Sequence, residues 1–363
     1  RAGRAVTALP SSFDVTLALD IVLLVMLLVV VGAVARTRSL LAAIIMFSIY
    51  SLISAVWLVV MDAPDVAFTE AVVGAGVSTI ILLGAILLTR GEAERPDWRR
   101  LIAPALACIA VGGLLVYAAI GLPGLGDAAS PANAYVGRAY LEATPKDIGM
   151  PNVVTAVLSS YRSFDTLGET TVIFAAGVGV ALMLGFGPRA SLAPPPAVIG
   201  DHHVVPRVAA KLLIPLVALF AFYVQFHGDL GAGGGFQAGV IMAAAIILHA
   251  LVFGLRETMA AIPPRVARSL ASLGVLLYAG IGVICMMNGG GFLDYDYLFP
   301  PSVEQQIPGW LLGDSEHAHH WGQHFGIMLI ELGVLLTVSA TMVTIFYGFG
   351  GRTVEAARQE AKQ

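Results

Sequence analysis

The sequence predicts an all-α, polytopic membrane protein of about nine transmembrane helices, and three observations predict it. Hydrophobic residues make up 58% of the 363 and charged residues only 12%, about half the charged share of an average soluble domain. The apolar residues gather in nine runs, near 15–35, 39–61, 63–89, 101–120, 166–186, 211–227, 235–255, 267–288 and 323–349, each close to the roughly 20 residues that a span needs. Open sheet edges are not viable in lipid, so runs of this length are helices. The third observation is the placement of Lys and Arg: fifteen of the 20 fall in one alternating set of connections, while Arg1, Arg4, Arg138, Lys146 and Arg162 fall in the other. Basic residues favour the cytoplasmic side, which predicts an outer N-terminus and a cytoplasmic C-terminus.

Taken in order, the elements differ in what they carry. The first dozen residues lack an apolar core, which predicts no cleavable signal peptide. The first span holds Asp20. The third follows Asp62 and Pro64, a capping acid and a first-turn proline, with Asp65 beside them and Glu70 about two turns inside. A carboxylate at such depth costs about 2.5–3.5 kcal/mol on insertion scales, so it marks function more often than not. Gly74 and Gly76 follow on the next turn, a pattern that suits close helix packing. The fourth span contains Cys108 and the eighth Cys285, both read as small buried apolar residues.

The fifth run opens with Asp165 at its boundary and Glu169 one turn further on, on the same face, with Arg162 in reach of either. Between the sixth and seventh runs lies "HGDLGAGGGF", a tight turn feeding a small-residue face. No strand or "GK[ST]" accompanies it, so it is not a nucleotide cradle. His249 lies deeper in the seventh run, where a histidine can relay protons or simply sit satisfied in the core. The ninth run begins among His317, His319, His320 and His324. These lack an "HExxH" pattern and an adjacent base, so no metal site is assigned. Glu331, nine residues into that apolar run, is a second intramembrane acid.

Under the predicted topology Asp20, Glu70, Glu169 and Glu331 share the outer half of the membrane, and the loop 289–321 adds Asp294, Asp296, Glu304, Asp314 and Glu316 without Lys or Arg. An acidic mouth concentrates cations, which suggests an outward-opening cation or proton path. A net charge of −4 and the absence of basic–aromatic clusters argue against nucleic acid. No complete catalytic set is present, so an enzyme is not expected, and no cofactor is called for. A charged stretch at 89–100 and a Pro-rich one at 187–207 divide the chain into modules at 1–90, 91–187 and 188–363.

Three motifs then carry a family resemblance. "DAPDVAFTEAVVGAGVSTIILLGA" resembles the MbhD-like module at the C-terminal end of the large A protein of Mrp-type cation/proton antiporters. "NVVTAVLSSYRSFDTLGETTVIFAAGVGV" is similar to the MbhE-like module, whose "FDTxGE" stretch is matched by Phe164, Asp165, Thr166, Gly168 and Glu169. "HGDLGAGGGFQAGV" with "GIMLIELGVLLTV" resembles the Mrp B protein, although Ala232 replaces the proline of the usual "PGGGF". The resemblance implies a subunit in a bacterial or archaeal cell membrane whose partners are antiporter-like A and D subunits, small C, E, F and G subunits and lipid. It implies Na⁺ and H⁺ as transported ions, and Glu70, Asp165 and Glu169 as candidate pathway residues; Glu331, Asp65, Asp20 and His249 join them from the reading of the residues alone. Antiporter-like subunits of the family carry a buried lysine paired with glutamate. Here Lys211 is expected at a span boundary, which suggests an accessory or ion-path role. A structural adaptor, and a membrane-arm component of a complex-I-related hydrogenase, are the alternatives.

Overall fold

The computed structural model describes residues 12–86, 98–124, 127–184, 204–299 and 321–360. The module boundaries at 90/91 and 187/188, His317, His319, His320, Glu304, Asp314 and Glu316 lie outside the described residues. Among those described, nine helices are long and apolar enough to cross a membrane, as the sequence predicts.

Helices α1 (Ser12–Arg36) and α2 (Leu40–Val60) form an antiparallel pair, and α2 packs on the broken third span. That span consists of α3 (Pro64–Glu70), a π-helical turn over Ala71–Ser78 and α4 (Thr79–Ile86). Pro64 occupies the first turn, as expected. Asp62, however, does not cap the helix: Ala63 holds that position without a side-chain bond, and Asp62 takes φ 56° in the preceding turn. The turn between α2 and α3 is so short that Asp62 is spent reversing the chain. The glycines of the third span serve packing and irregularity together. The π-turn frees carbonyls that hydroxyls then satisfy, with Ser48 Oγ donating to Ala75 O at 3.1 Å and Thr79 Oγ1 to Gly74 O at 3.3 Å. A side chain at Gly74 would overlap Ser51 of α2.

Helix α5 (Trp98–Ile120) stands apart, and from Arg99 to Ile120 every residue but Gly112 is exposed. Cys108 is among them, so it faces outward instead of being buried. The long connection that follows is more ordered than an outer loop. It forms a π-turn over Ala132–Gly137, α6 (Arg138–Asp147), α7 (Val153–Ala156) and a second π-turn over Val157–Tyr161. Ile148, Met150 and Ala156 enter the central core, and α8 (Ser163–Leu184) leaves from this re-entering segment.

The last four spans form the centre. They are α9 (Val204–His227), α10 (Gly235–Phe253), α12 (Pro264–Met287) and α13 (Trp321–Glu360), with the short α11 (Leu255–Ala261) between α10 and α12. Helix α13 packs on both α10 and α12. At the α12–α13 crossing Gly274 meets Gly333, and Thr337 Oγ1 donates to Ala271 O at 3.1 Å, the small-residue contact that brings membrane helices close. Helix α9 starts seven residues earlier than the hydropathy run suggests, so Lys211 lies two turns inside it, corrected from a boundary residue; it is exposed there and makes no ion pair among the described residues. Its aliphatic stem lets a lysine extend the helix past the end of the apolar run.

Candidate functional site

Residues from the starts of α3, α8 and α10, from α7 and the π-turn after it, and from α13 line a cavity of about 230 Å³, with Asp65, Glu169 and Glu331 on its wall and Thr155, Ser159, Thr166 and Gln237 among its polar groups. Three of the expected acids therefore face one space.

Glu331 is its best-held member. On α13, ten residues past Trp321 and so about 15 Å along the helix, its Oε1 accepts a hydrogen bond from Ser159 Oγ at 2.6 Å. Its Oε2 accepts from the backbone N–H of Gly235, the first residue of α10. A helix N-terminus offers unpaired N–H groups and a positive dipole end to a carboxylate. The triple glycine makes the approach possible: Gly234 takes φ 109°, and a Cβ on Gly235 would overlap the Glu331 carbonyl. The Ser159 partner lies on the re-entering segment.

Asn152 ties that segment to the turn after α9. Its Oδ1 caps α7 by accepting from Val154 and Thr155 N–H, and its Nδ2 lies 3.1 Å from Gly228 O, 3.0 Å from Gly231 O and 3.4 Å from Asp65 Oδ1. Thr155 Oγ1 donates to Gly228 O at 2.7 Å. Gln237 Nε2 donates to Thr69 Oγ1 at 2.8 Å, tying α10 to α3. Asp65 is thus part of the hydrogen-bonded wall of the cavity, while Glu169 is exposed on its rim.

Other expected residues lie elsewhere. Glu70 faces away from this cavity, over Gly74, where an added Cβ would sit 2.9 Å from its Oε1 and against Ser51. Asp65 and Glu70 are five residues apart, which puts them on different helix faces. Asp165 is exposed and paired with Arg162 at 2.5 Å, a surface ion pair of little energetic weight. Asp20 is buried in α1 at 8% exposure, and its Oδ1 has no partner among the described residues. His249 lies about 21 Å along α10 from Gly235, its Nδ1 2.7 Å from Thr258 Oγ1 and its ring against Phe253. That is the arrangement of a satisfied core histidine. Asp296 accepts from Gln323 Nε2 at 3.0 Å, so this part of the acidic loop is anchored to α13.

The structure adds residues that hydropathy passes over. Asp229, in the turn after α9, is half-buried; burial first, and the charge of Glu331 second, push its carboxyl up to about 6. A carboxyl raised in the folded state contributes stability that is present below its ordinary value, near 3.8, and lost as pH rises through about 6. Asp229→Asn is therefore expected to flatten the fall in melting temperature between about pH 4 and 6, read by thermal shift of the assembled protein. An unchanged profile refutes the assignment. Asp229 shares with Gln225, Thr155 and Glu331 a second cavity of about 30 Å³. Its sequence trace is an acid inside the "HGDLGAGGG" turn, and that of Gln225 an amide within an apolar span.

Comparison with known proteins shows what the chain as a whole is similar to. Residues 205–344 match a family described as a domain related to the MnhB subunit of Na⁺/H⁺ antiporters, and residues 25–91 match one described as the D subunit of MBH. The chain is 26% identical to a probable A/B-type K⁺/H⁺ antiporter protein of Rhizobium meliloti, over 89% of this chain and 33% of that protein. It is 31% identical to a putative antiporter subunit mnhB2 of Staphylococcus aureus, over 42% of this chain and 96% of the relative. Among solved structures it is similar to a chain of the Mrp complex of Dietzia sp., with a TM-score of 0.69 and 26% identity over 91% of this chain and 34% of that one. It is also similar to a chain of an archaeal membrane-bound sulfane sulfur reductase, with a TM-score of 0.51 and 29% identity over 69% of this chain and 98% of that one. The chain therefore spans about a third of the length of the A/B-type relative and of the Mrp-complex chain it matches.

Proposed function

The chain belongs to the Mrp-type antiporter family, as an A/B fusion joining an MbhD-related region to an MnhB-related one, and from that premise we propose that it lines an ion path in a multisubunit Na⁺(cation)/H⁺ antiporter. It is a multi-pass protein of the plasma membrane. Its three modules are 1–90, 91–187 and 188–363, with the N-terminus outside and the C-terminus cytoplasmic. Its partners are antiporter-like and small subunits of the same complex. It acts as a transporter component, not an enzyme.

The observation that carries this reading is the convergence of Asp65, Glu169 and Glu331 on one cavity. Acids so placed are costly in a membrane, and those that face an interior cavity mark ion paths. Glu169, exposed on the rim, is the entrance acid; Glu331, held between Ser159 and the start of α10, is the inner station. Glu70, on the opposite face of its span, serves the α2 side. Lys211 lies exposed on α9, and exchange itself is assigned to the antiporter-like partners.

The test is Na⁺-dependent proton flux in inverted vesicles carrying the complete complex, comparing wild type with Glu169→Gln, with assembly followed on a native gel. Flux is expected to fall several-fold while the complex stays intact. Undiminished flux in an intact complex favours the adaptor reading, in which the acids fasten interfaces only. The likeness to the sulfane sulfur reductase chain supports a second setting, a respiratory complex whose redox subunits drive the same path. Co-purification of iron–sulfur subunits in place of antiporter-like ones decides for it.

A further inference from the structure

We propose that the cavity of about 30 Å³ between α9, the turn after it and α13 binds one dehydrated monovalent cation of the sodium class, held by oxygens of Glu331, Asp229 and Gln225. The proposal rests on the ion-path reading and names the residues that would bind its cargo.

Size comes first. A space of this volume has room for a few water-sized particles at most. An occupant must leave most of its hydration shell outside and take protein oxygens in exchange, as ions do in membrane sites built from unwound backbone and helix ends.

The lining decides the sign of the charge. Two carboxylates face the cavity, close enough for the charge on Glu331 to act on Asp229. Gln225 lines it as well, only 5% exposed, and its Oε1 has no hydrogen-bond partner among the described residues. A buried amide oxygen without a partner has lost its water and gained nothing in return, a deficit that a bound cation removes. Three neighbouring donors are already committed: Thr155 Oγ1 to Gly228 O, the Gly234 N–H to Val224 O, and the Gly235 N–H to Glu331. Against the amide N–H groups of Gln225 stand its own oxygen and the two carboxylates of Asp229 and Glu331, a surplus of acceptors around a small space. Each Glu331 oxygen accepts one hydrogen bond and keeps a lone pair for a ligand. The C-terminal end of α9, immediately before Gly228, adds the negative end of its dipole.

The two cavities share Glu331 and Thr155 as wall residues. The small site therefore lies one carboxylate beyond the larger space, and a cation leaving it passes Glu331 to enter the cavity that Glu169 rims.

The experiment is equilibrium binding of radiolabelled Na⁺ to the purified complete complex in nanodiscs, at one fixed alkaline pH. Wild type is expected to bind Na⁺ saturably. Asp229→Asn and Gln225→Leu, both near-isosteric, are each expected to raise the Kd at least about tenfold, equal to about 1.4 kcal/mol. Glu142→Gln, which alters an exposed acid paired with Arg138, is expected to leave the Kd unchanged. Absence of saturable binding in wild type overturns the site, as does an unchanged Kd in either variant with the complex intact. Flux in the same preparations separates the site from the path. Wild-type flux with binding indifferent to both substitutions removes this site and keeps the ion path; wild-type complex without flux removes the ion path itself.

Discussion

Glu331→Gln is expected to lower Na⁺-dependent proton flux at least about tenfold, or about 1.4 kcal/mol, in a complex that still assembles. Glutamine keeps the volume of the side chain and an oxygen to accept from the Gly235 N–H, so the packing of α13 on α10 survives. What is lost is the charge and the titratable proton at the wall shared by the two cavities. Glu331→Ala is the contrasting variant. It leaves the Ser159 hydroxyl and the Gly235 N–H without their acceptor, at about 1–3 kcal/mol for each buried group, and is expected to impair assembly as well as flux. Inverted-vesicle flux, with native-gel assembly read in parallel, distinguishes the two. Wild-type flux in Glu331→Gln removes this residue from the path.

Gly235→Ala is expected to have the largest structural effect of any single methyl. The added Cβ would overlap the Glu331 carbonyl and lie 2.9 Å from its Oε2. A methyl forced into a packed site costs about 1–3 kcal/mol. Here the obstacle is backbone, which cannot rotate away, so the upper end of that range applies. Helix α10 must then shift from α13, breaking the N–H bond to Glu331. The measurement is the melting temperature of the detergent-solubilised complex together with its yield. An unchanged melting temperature shows that the two helices do not meet as closely as described.

The fold was legible because a membrane writes length and polarity into sequence: continuous apolar runs of span length leave helix as the available solution. Glu169 and Glu331 were legible for the same reason, since an acid in an apolar run stands out. The segment Val153–Tyr161 was not, for it is too short to span and reads as a loop; its burial comes from contacts with distant helices. Ser159 and Asn152, which lie on or beside it, were hidden with it. Asp229 was hidden by its place in a turn, where acids are ordinary. The separation of Glu70 from the other acids was unreadable because it depends on which face of the third span meets α10 and which meets α2. Lys211 shows the converse error, in which hydropathy ended a helix that the backbone continues.

The isolation of α5 bears on how such a chain comes together in a cell. A helix with nearly every residue exposed is apolar enough to insert on its own, yet gains almost nothing from the rest of its own polypeptide. Insertion and docking then become separate events in time, the first complete at synthesis and the second awaiting whatever lies beside it in the bilayer. Until docking, its tilt and rotation are set by lipid alone. Helix α5 thus leaves its orientation to the bilayer and to whatever packs beside it, not to its own chain.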